Sequence, residues 1–233
     1  MSEEDYLILK EDFPEFDLNF KIIIIGDSGV GKSCLTMKAT KNLFENCYSS
    51  TVGFEFYTFN VKIKDKIIRL QIWDTCGQEM YRSLITGFYR SSSLAILVYS
   101  IDNENSFTGL ESWLNEIKEK GNPNIKIFLI GNKNDLEDIR TVSEKQAAKF
   151  SNDHGFDLFL EASAKTGFNA KKIFVEAARS LLEQNLSFLE RDSNNESKDS
   201  SRVSYEFSHE MNSALVFKDE NNRQGLKCCI WLL

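Results

Sequence analysis

The stretch Gly26-Asp27-Ser28-Gly29-Val30-Gly31-Lys32-Ser33 limits what this chain can fold into more than any other. It has the pattern G-x-x-x-x-G-K-S and follows Phe20-Lys21-Ile22-Ile23-Ile24-Ile25, an apolar run that reads as a buried strand. Cys34-Leu35-Thr36-Met37-Lys38-Ala39 then continues without a breaker, as a helix does. Strand, glycine loop and helix in that order are the setting of a phosphate-binding loop. Glycines allow the backbone to approach a phosphate chain closely. The loop N–H groups and the start of the helix then face the anion. In such a loop Ser28, Gly29, Val30, Gly31, Lys32, Ser33 and Cys34 line a nucleotide. Lys32 reaches the β- and γ-phosphates, and the Ser33 hydroxyl ligates Mg²⁺.

The order of elements extends this reading. Phe54–Ile63 and Ile67–Trp73 are β-rich runs joined by Lys64-Asp65-Lys66, which predicts a hairpin. Leu94–Tyr99 is apolar on both faces, like a strand inside a mostly parallel sheet. Residues from Asn105 to about Glu119 carry Phe107, Leu110, Leu114 and Ile117 at helical spacing. Ile125–Ile130 is a further buried strand, Ser143-x-x-Gln146 opens a helix as a capping box, Phe156–Leu160 is the last strand, and a long helix runs from Phe168 to about Phe188. The expectation is an α/β, doubly wound P-loop NTPase fold: a six-stranded, mostly parallel sheet flanked by five helices, with disordered tails. In such sheets ligands bind outside the carboxyl ends of the strands.

Composition excludes several alternatives. The 233 residues carry a net charge of -7, which argues against nucleic-acid binding driven by bulk electrostatics. Residues 1–19 hold seven acids and one base and read as a solvated, acidic N-terminal extension without the basic start and apolar core of a signal peptide. No apolar run approaches the roughly 20 residues that span a bilayer. The five cysteines suggest no disulfide framework or zinc site, so reduced thiols in the cytosol are expected. The stretch from about 190 to 227 is polar and reads as a flexible tail, so that the G domain is expected over 20–188 and the tail over 189–233.

Three later segments select the base. Asp74-Thr75-Cys76-Gly77-Gln78 resembles the D-x-x-G segment of GTPases. There Asp74 would hold Mg²⁺, and the Gly77 N–H would meet the γ-phosphate. Asn132-Lys133-Asn134-Asp135 matches N-K-x-D. The Asp135 carboxylate can accept from guanine N1 and the exocyclic amine, where adenine has no donors, so discrimination on the order of 10⁴ is expected. Ser163-Ala164-Lys165 would bring the Ala164 N–H to guanine O6, with Lys133 and Lys165 beside the base plane.

With these motifs the sequence over about 20–188 resembles the small GTPases of the Ras superfamily, and within it the Rab family. The closer likeness is carried by Val52-Gly53-Phe54-Glu55-Phe56, Arg69-Leu70-Gln71-Ile72-Trp73, Gln78-Glu79-Met80-Tyr81-Arg82-Ser83-Leu84, Phe88-Tyr89-Arg90 and Leu97-Val98-Tyr99-Ser100-Ile101. The resemblance implies a GTP/GDP switch serving vesicle traffic. It implies that Thr51 joins Ser33 and Asp74 around Mg²⁺ and touches the γ-phosphate only in the GTP state. It further implies that Phe44 packs edge-on against guanine, that Gln78 orients the attacking water, and that Phe56, Trp73 and Phe88 form the aromatic trio read by effectors. Losing GTP would relax the loops around 43–53 and 76–86 together. His154 and His209 lie far from these segments and read as surface residues. With no arginine finger in cis, turnover would be slow and would need an activating protein. Cys76 stands where the family usually has alanine, which raises a redox-sensitive or rate-modifying thiol.

The chain ends Lys227-Cys228-Cys229-Ile230-Trp231-Leu232-Leu233, so the C-a-a-X rule fails. Rab proteins often carry paired cysteines there, both geranylgeranylated, which makes Cys228 and Cys229 the candidate anchors. Residues 187–233 hold eight acids and six bases, so no polybasic patch supplies a second membrane signal and two lipids are needed. The resemblance implies a monomer on the cytoplasmic face of an endomembrane, met by effectors, an exchange factor, an activating protein, an escort protein and a dissociation inhibitor. A Ras-like signalling GTPase and a GTP-binding scaffold with negligible hydrolysis are the alternatives. Thr51, Asp74, Gly77 and Gln78 speak against the scaffold.

Overall fold

The computed structural model describes residues 5–44, 53–75 and 87–195. The chain divides into two compact units, residues 1–189 and 190–233. Among the described residues seven strands form one sheet: β1 (Tyr6–Leu9), β2 (Leu18–Ile25), β3 (Phe54–Ile63), β4 (Lys66–Thr75), β5 (Leu94–Ser100), β6 (Lys126–Asn132) and β7 (Leu158–Glu161). Their spatial order is β1-β3-β4-β2-β5-β6-β7. The β1–β3 and β3–β4 pairings are antiparallel, and the rest are parallel. The helices are α1 (Lys32–Lys41), α2 (Glu104–Thr108), α3 (Leu110–Lys120), α4 (Glu144–His154) and α5 (Ala170–Asn195).

The apolar run in β2 is continuous because both faces of the sheet are covered. Ile22 and Ile24 enter a core shared with Leu35 of α1 and Ile173, Phe174 and Leu181 of α5. Ile23 and Ile25 point the other way, among Leu110, Trp113 and Ile117 of α3 and Ala147 of α4. Every residue of β5 is buried, as expected for a strand between two helical layers. Loops at the carboxyl ends of the parallel strands therefore gather at one edge.

The sheet has one strand more than expected. The acid content of residues 1–19 predicts a solvated extension, yet Tyr6-Leu7-Ile8-Leu9 is a short β-forming run and pairs with Asn60–Ile63 of β3. An open strand edge leaves backbone groups unpaired, and β1 satisfies them. Side chains fix the arm. Asn60, 1% exposed, donates from Nδ2 to the Lys10 and Glu11 carbonyls at 2.8 and 3.0 Å. Its Oδ1 accepts from Arg69 Nε at 2.9 Å, and Arg69 also donates to the Phe13 carbonyl. Asp17 accepts from the Ile67 N–H at 2.7 Å and pairs with Lys66, which holds its carboxyl below the usual range.

Other boundaries shift for local reasons. The helix expected from Asn105 to Glu119 is two helices meeting at Gly109. Asn103 caps the first by accepting from the Ser106 N–H. Ser143 caps α4, accepting from the Gln146 N–H at 3.2 Å as the capping box predicts. A 3₁₀ segment, Asn134–Ile139, follows β6. The last helix runs to Asn195, past the expected end near Phe188. Among the described residues no helix is long and apolar enough to cross a membrane.

Candidate nucleotide site

The loop between β2 and α1 is shaped by glycines that nothing larger could replace. Gly26 has φ 139°, and a Cβ there would lie 2.1 Å from the Val98 carbonyl oxygen. Gly31 has φ 92°, and a Cβ would lie 2.4 Å from Asn132 Nδ2. Lys32, 5% exposed, folds back over the loop and donates to the Gly26 and Asp27 carbonyls, both at 2.8 Å. The ammonium is thereby held above the cradle that it would share with a phosphate chain.

Asn132, at the end of β6, ties this loop to the base-recognising loops. It is 1% exposed. Its Nδ2 donates to the Val30 carbonyl at 2.8 Å, and its Oδ1 accepts from the Ala164 N–H at 3.2 Å. The N–H that the sequence assigns to guanine O6 thus has Asn132 as a partner. Asp135 lies just beyond: Oδ1 accepts from Ser163 Oγ at 2.5 Å, and Oδ2 is 3.7 Å from Lys165 Nζ. Lys133 has φ 65°, and its Nζ is 3.7 Å from Asp102 Oδ1.

Asp74 ends β4 beside β2, in register with Ile24. It is fully buried, and among the described residues neither carboxylate oxygen meets a donor in full hydrogen-bond geometry, the Ser33 hydroxyl being the nearest one to act on it. Burial raises its pKa to about 7, against the downward pull of the Ser33 hydroxyl and the Lys32 ammonium. A buried carboxylate with a serine hydroxyl beside it is a donor set that suits a hard divalent cation.

The structure thus brings together Lys32, Ser33 and Asp74 around the loop, and Asn132, Asp135, Ser163, Ala164 and Lys165 around the base position. Phe44, just past α1, is 37% exposed. Thr51, Cys76, Gly77, Gln78, Cys228 and Cys229 lie outside the described residues, as does His209. His154 is half-buried with its ring 4.4 Å from that of Phe150, a packing role in place of the expected surface one.

The family model described as the Ras family matches residues 21–183. Ras-related protein Rab-13 of Bos taurus is 42% identical over 167 residues, which cover 72% of this chain and 82% of the relative.

The chain belongs to the Rab family of small GTPases.

As a Rab-family GTPase it binds guanine nucleotide, hydrolyses GTP to GDP and phosphate, and serves membrane traffic through effectors, exchange factors and activating proteins. Two supports of its nucleotide loops escape the motifs. Trp113 Nε1, from α3, donates to Asp27 Oδ1 at 2.8 Å and anchors the phosphate loop from the opposite layer. Arg140 clamps Glu161 with Nη1 and Nη2 at 2.6 and 2.7 Å, and Glu161 in turn accepts from Asn134 Nδ2 at 2.8 Å. Asn134 is the variable position of N-K-x-D, so its role is invisible in the pattern. A buried tryptophan N–H needs an acceptor, and that requirement was the available signal for Asp27.

The aromatic trio of this Rab protein is a cluster of four rings. Trp73 packs with Phe56 and Phe88 at 5.3 and 4.8 Å between centroids, and Phe54 adds contacts of 5.2 and 5.1 Å to Trp73 and Phe88. Lys21 Nζ lies 4.9 Å from the Trp73 ring and 4.6 Å from Phe88, and burial lowers its pKa. Phe54 and Phe56 are 47% and 50% exposed, so the cluster offers apolar area to a partner.

Proposed function

We propose that this Rab-family protein is a membrane-anchored switch in which Asp135 reads guanine and Asp74 anchors the metal half of the site. The observation that supports it best is the Asn132 clamp. One side chain bonds both the phosphate loop and the Ala164 loop, so base and phosphate recognition are held at a fixed separation.

In this reading Lys32 takes the β- and γ-phosphate charge, while Ser28 to Cys34 supply N–H donors and flank the chain. Ser33, Asp74 and Thr51 would hold Mg²⁺, which when bound neutralises phosphate charge. Asp135 accepts from guanine N1 and the exocyclic amine, oriented by Ser163 and steadied by Lys165. Ala164 shares its N–H between Asn132 and guanine O6. Lys133 and Lys165 line the base plane, and Phe44 its edge. Gln78 orients the attacking water. Thr51 and Gly77 sense the γ-phosphate, so hydrolysis releases two loops at once. The exposed rings of Phe54 and Phe56, with Trp73 and Phe88, form the face on which an effector docks. Cys228 and Cys229 carry geranylgeranyl groups, added with an escort protein and masked by a dissociation inhibitor, and hold the monomer on the cytoplasmic face of an endomembrane.

Exchanging Asp135 for Asn tests the base-reading step. An amide places an N–H donor where the carboxylate accepted, so the variant should lose GTP and gain the triphosphate of xanthine, whose carbonyl replaces the amine. Equal retention of GTP by Asp135→Asn and the native protein in a fluorescent-nucleotide competition assay would refute the assignment. Mass spectrometry of the C-terminus from cells tests the lipid step: two geranylgeranyl additions are expected, and unmodified thiols would overturn it.

A further inference from the structure

A cavity of about 510 Å³ lies away from the nucleotide loops' phosphate side, between the end of α1, the first turns of α5 and the strand β1. Lys38, Lys171, Lys172 and Arg179 line it, and among the described residues Glu176 is its single acid. Arg179 Nη1 is 3.4 Å from Glu176 Oε1, so that acid is matched by one cation and three remain in excess. This happens in a chain whose net charge is -7, so the excess is a local arrangement and not a reflection of composition.

The arrangement is set by neighbouring residues. Gly167, at φ 88°, passes so close to Lys38 that a Cβ would lie 2.9 Å from Lys38 Cε, so its bare backbone leaves room for the lysine stem along the cavity wall. The Arg179 guanidinium carbon lies 5.5 Å from the centre of the Tyr6 ring, so β1 forms the opposite wall. Asn42, Thr166 and Asn169 add polar side chains to the lining. Lys171 and Lys172 are exposed.

We propose that this cavity binds a compact anion bearing two or more phosphate groups. Four cations face one carboxylate among the described residues, and a ligand with a single negative group would still leave two of the three in excess unmatched. Lysine ammoniums are point charges suited to phosphate oxygens, and Arg179 adds planar donors. The volume falls within the range of about 300–1,000 Å³ usual for small-molecule sites. The phosphates can belong to a free polyphosphate or to a phosphoinositide headgroup in a membrane, since both present the same oxygens.

The test uses the full GDP-bound chain. Titration calorimetry with inositol trisphosphate and with pyrophosphate is expected to show one saturable site in addition to the nucleotide site, weakening as salt rises. The double variant Lys171→Glu/Lys172→Glu should weaken binding by about tenfold or more, and Lys38→Ala by about threefold to tenfold, since each removes a charged contact. Lys118→Glu, on the exposed face of α3, should change neither affinity nor stoichiometry. GTP hydrolysis should be the same in all four proteins. Vesicles of phosphatidylcholine, with and without phosphatidylinositol bisphosphate, separate the two sources. Co-flotation that depends on the phosphoinositide and on Lys171 and Lys172 identifies a headgroup, and binding of soluble anions alone identifies a free ligand. Absence of saturable binding, or equal weakening by Lys118→Glu, overturns the proposal.

Discussion

Asn132 Nδ2 lies 2.8 Å from the Val30 carbonyl oxygen, which makes a residue of the base-reading motif a structural member of the phosphate loop. Replacing Asn132 by Ala would strip the Val30 carbonyl and the Ala164 N–H of a partner inside a buried site. The cost is about 1–3 kcal/mol, or a roughly tenfold to hundredfold faster release of GDP. Stopped-flow dissociation of a fluorescent GDP measures it. An unchanged rate would show that the clamp carries no binding energy.

Trp113→Phe removes the N–H that meets Asp27 Oδ1 while keeping most of the buried ring. A loss of about 1–2 kcal/mol in stability of the GDP-bound protein is expected, from a neutral donor lost to a carboxylate. GDP release should accelerate as well, because Asp27 lies within the loop. A variant that melts lower yet releases GDP at the native rate would confine the contact to folding.

Arg140 spans Glu161 and Glu137, and both bonds raise its pKa while Glu137 falls below the usual carboxylate range. Glu161 is 8% exposed, so Arg140→Ala leaves a buried carboxylate without its cation at a cost of about 3–5 kcal/mol. Arg140→Lys should recover little, since an ammonium cannot match the two-pronged geometry. Chemical denaturation of the GDP-bound forms checks both. Full rescue by lysine would contradict the geometric argument.

Asp74 gives the protein a pH dependence opposite to that of most of its carboxylates. Its folded pKa of about 7 lies above its unfolded value of 3.8, so in the metal-free protein the folded state keeps a proton that the unfolded state has lost. The stabilisation this provides is present below pH 4 and is lost as pH rises toward 7, at roughly 1.4 kcal/mol per unit. Asp74→Asn has no such titration. Its melting temperature without metal should therefore climb relative to the native protein between pH 4 and pH 7. A constant difference across that window would remove Asp74 as the source.

Deleting the arm that contains β1 strips Asn60 and Arg69 of their carbonyl partners at Lys10, Glu11 and Phe13. Truncation before Leu18 should lower the melting temperature by several degrees, about what 1–3 kcal/mol produces in a domain of this size. GTP hydrolysis should be unaffected, because the arm pairs with the distal half of β3.

The strands carrying the nucleotide loops were legible because both-face burial writes itself as unbroken Ile and Leu runs. The loop motifs were legible because phosphate and guanine chemistry tolerate few residue types. What stayed hidden depends on partners distant in sequence. Nothing local to Tyr6–Leu9 announces that β3 has an open edge. The helix after Asn103 is divided at Gly109, beside which Asp27 reaches Trp113; a Cβ on that glycine would come within 2.9 Å of the Asp27 carboxylate. The periodicity of Phe107, Leu110 and Leu114 runs through the break because both short helices bury the same face.

The strand donated by residues 6–9 leaves β3 in two regimes. Its Asn60–Ile63 half is zipped to the chain's own arm, so no foreign strand can pair with that half of β3. From Phe54 to Phe59 no strand pairs on that side among the described residues, and this stretch carries the exposed rings of Phe54 and Phe56. A partner strand that pairs with β3 itself meets the aromatic end first, which brings strand addition and ring recognition at that margin to one approach.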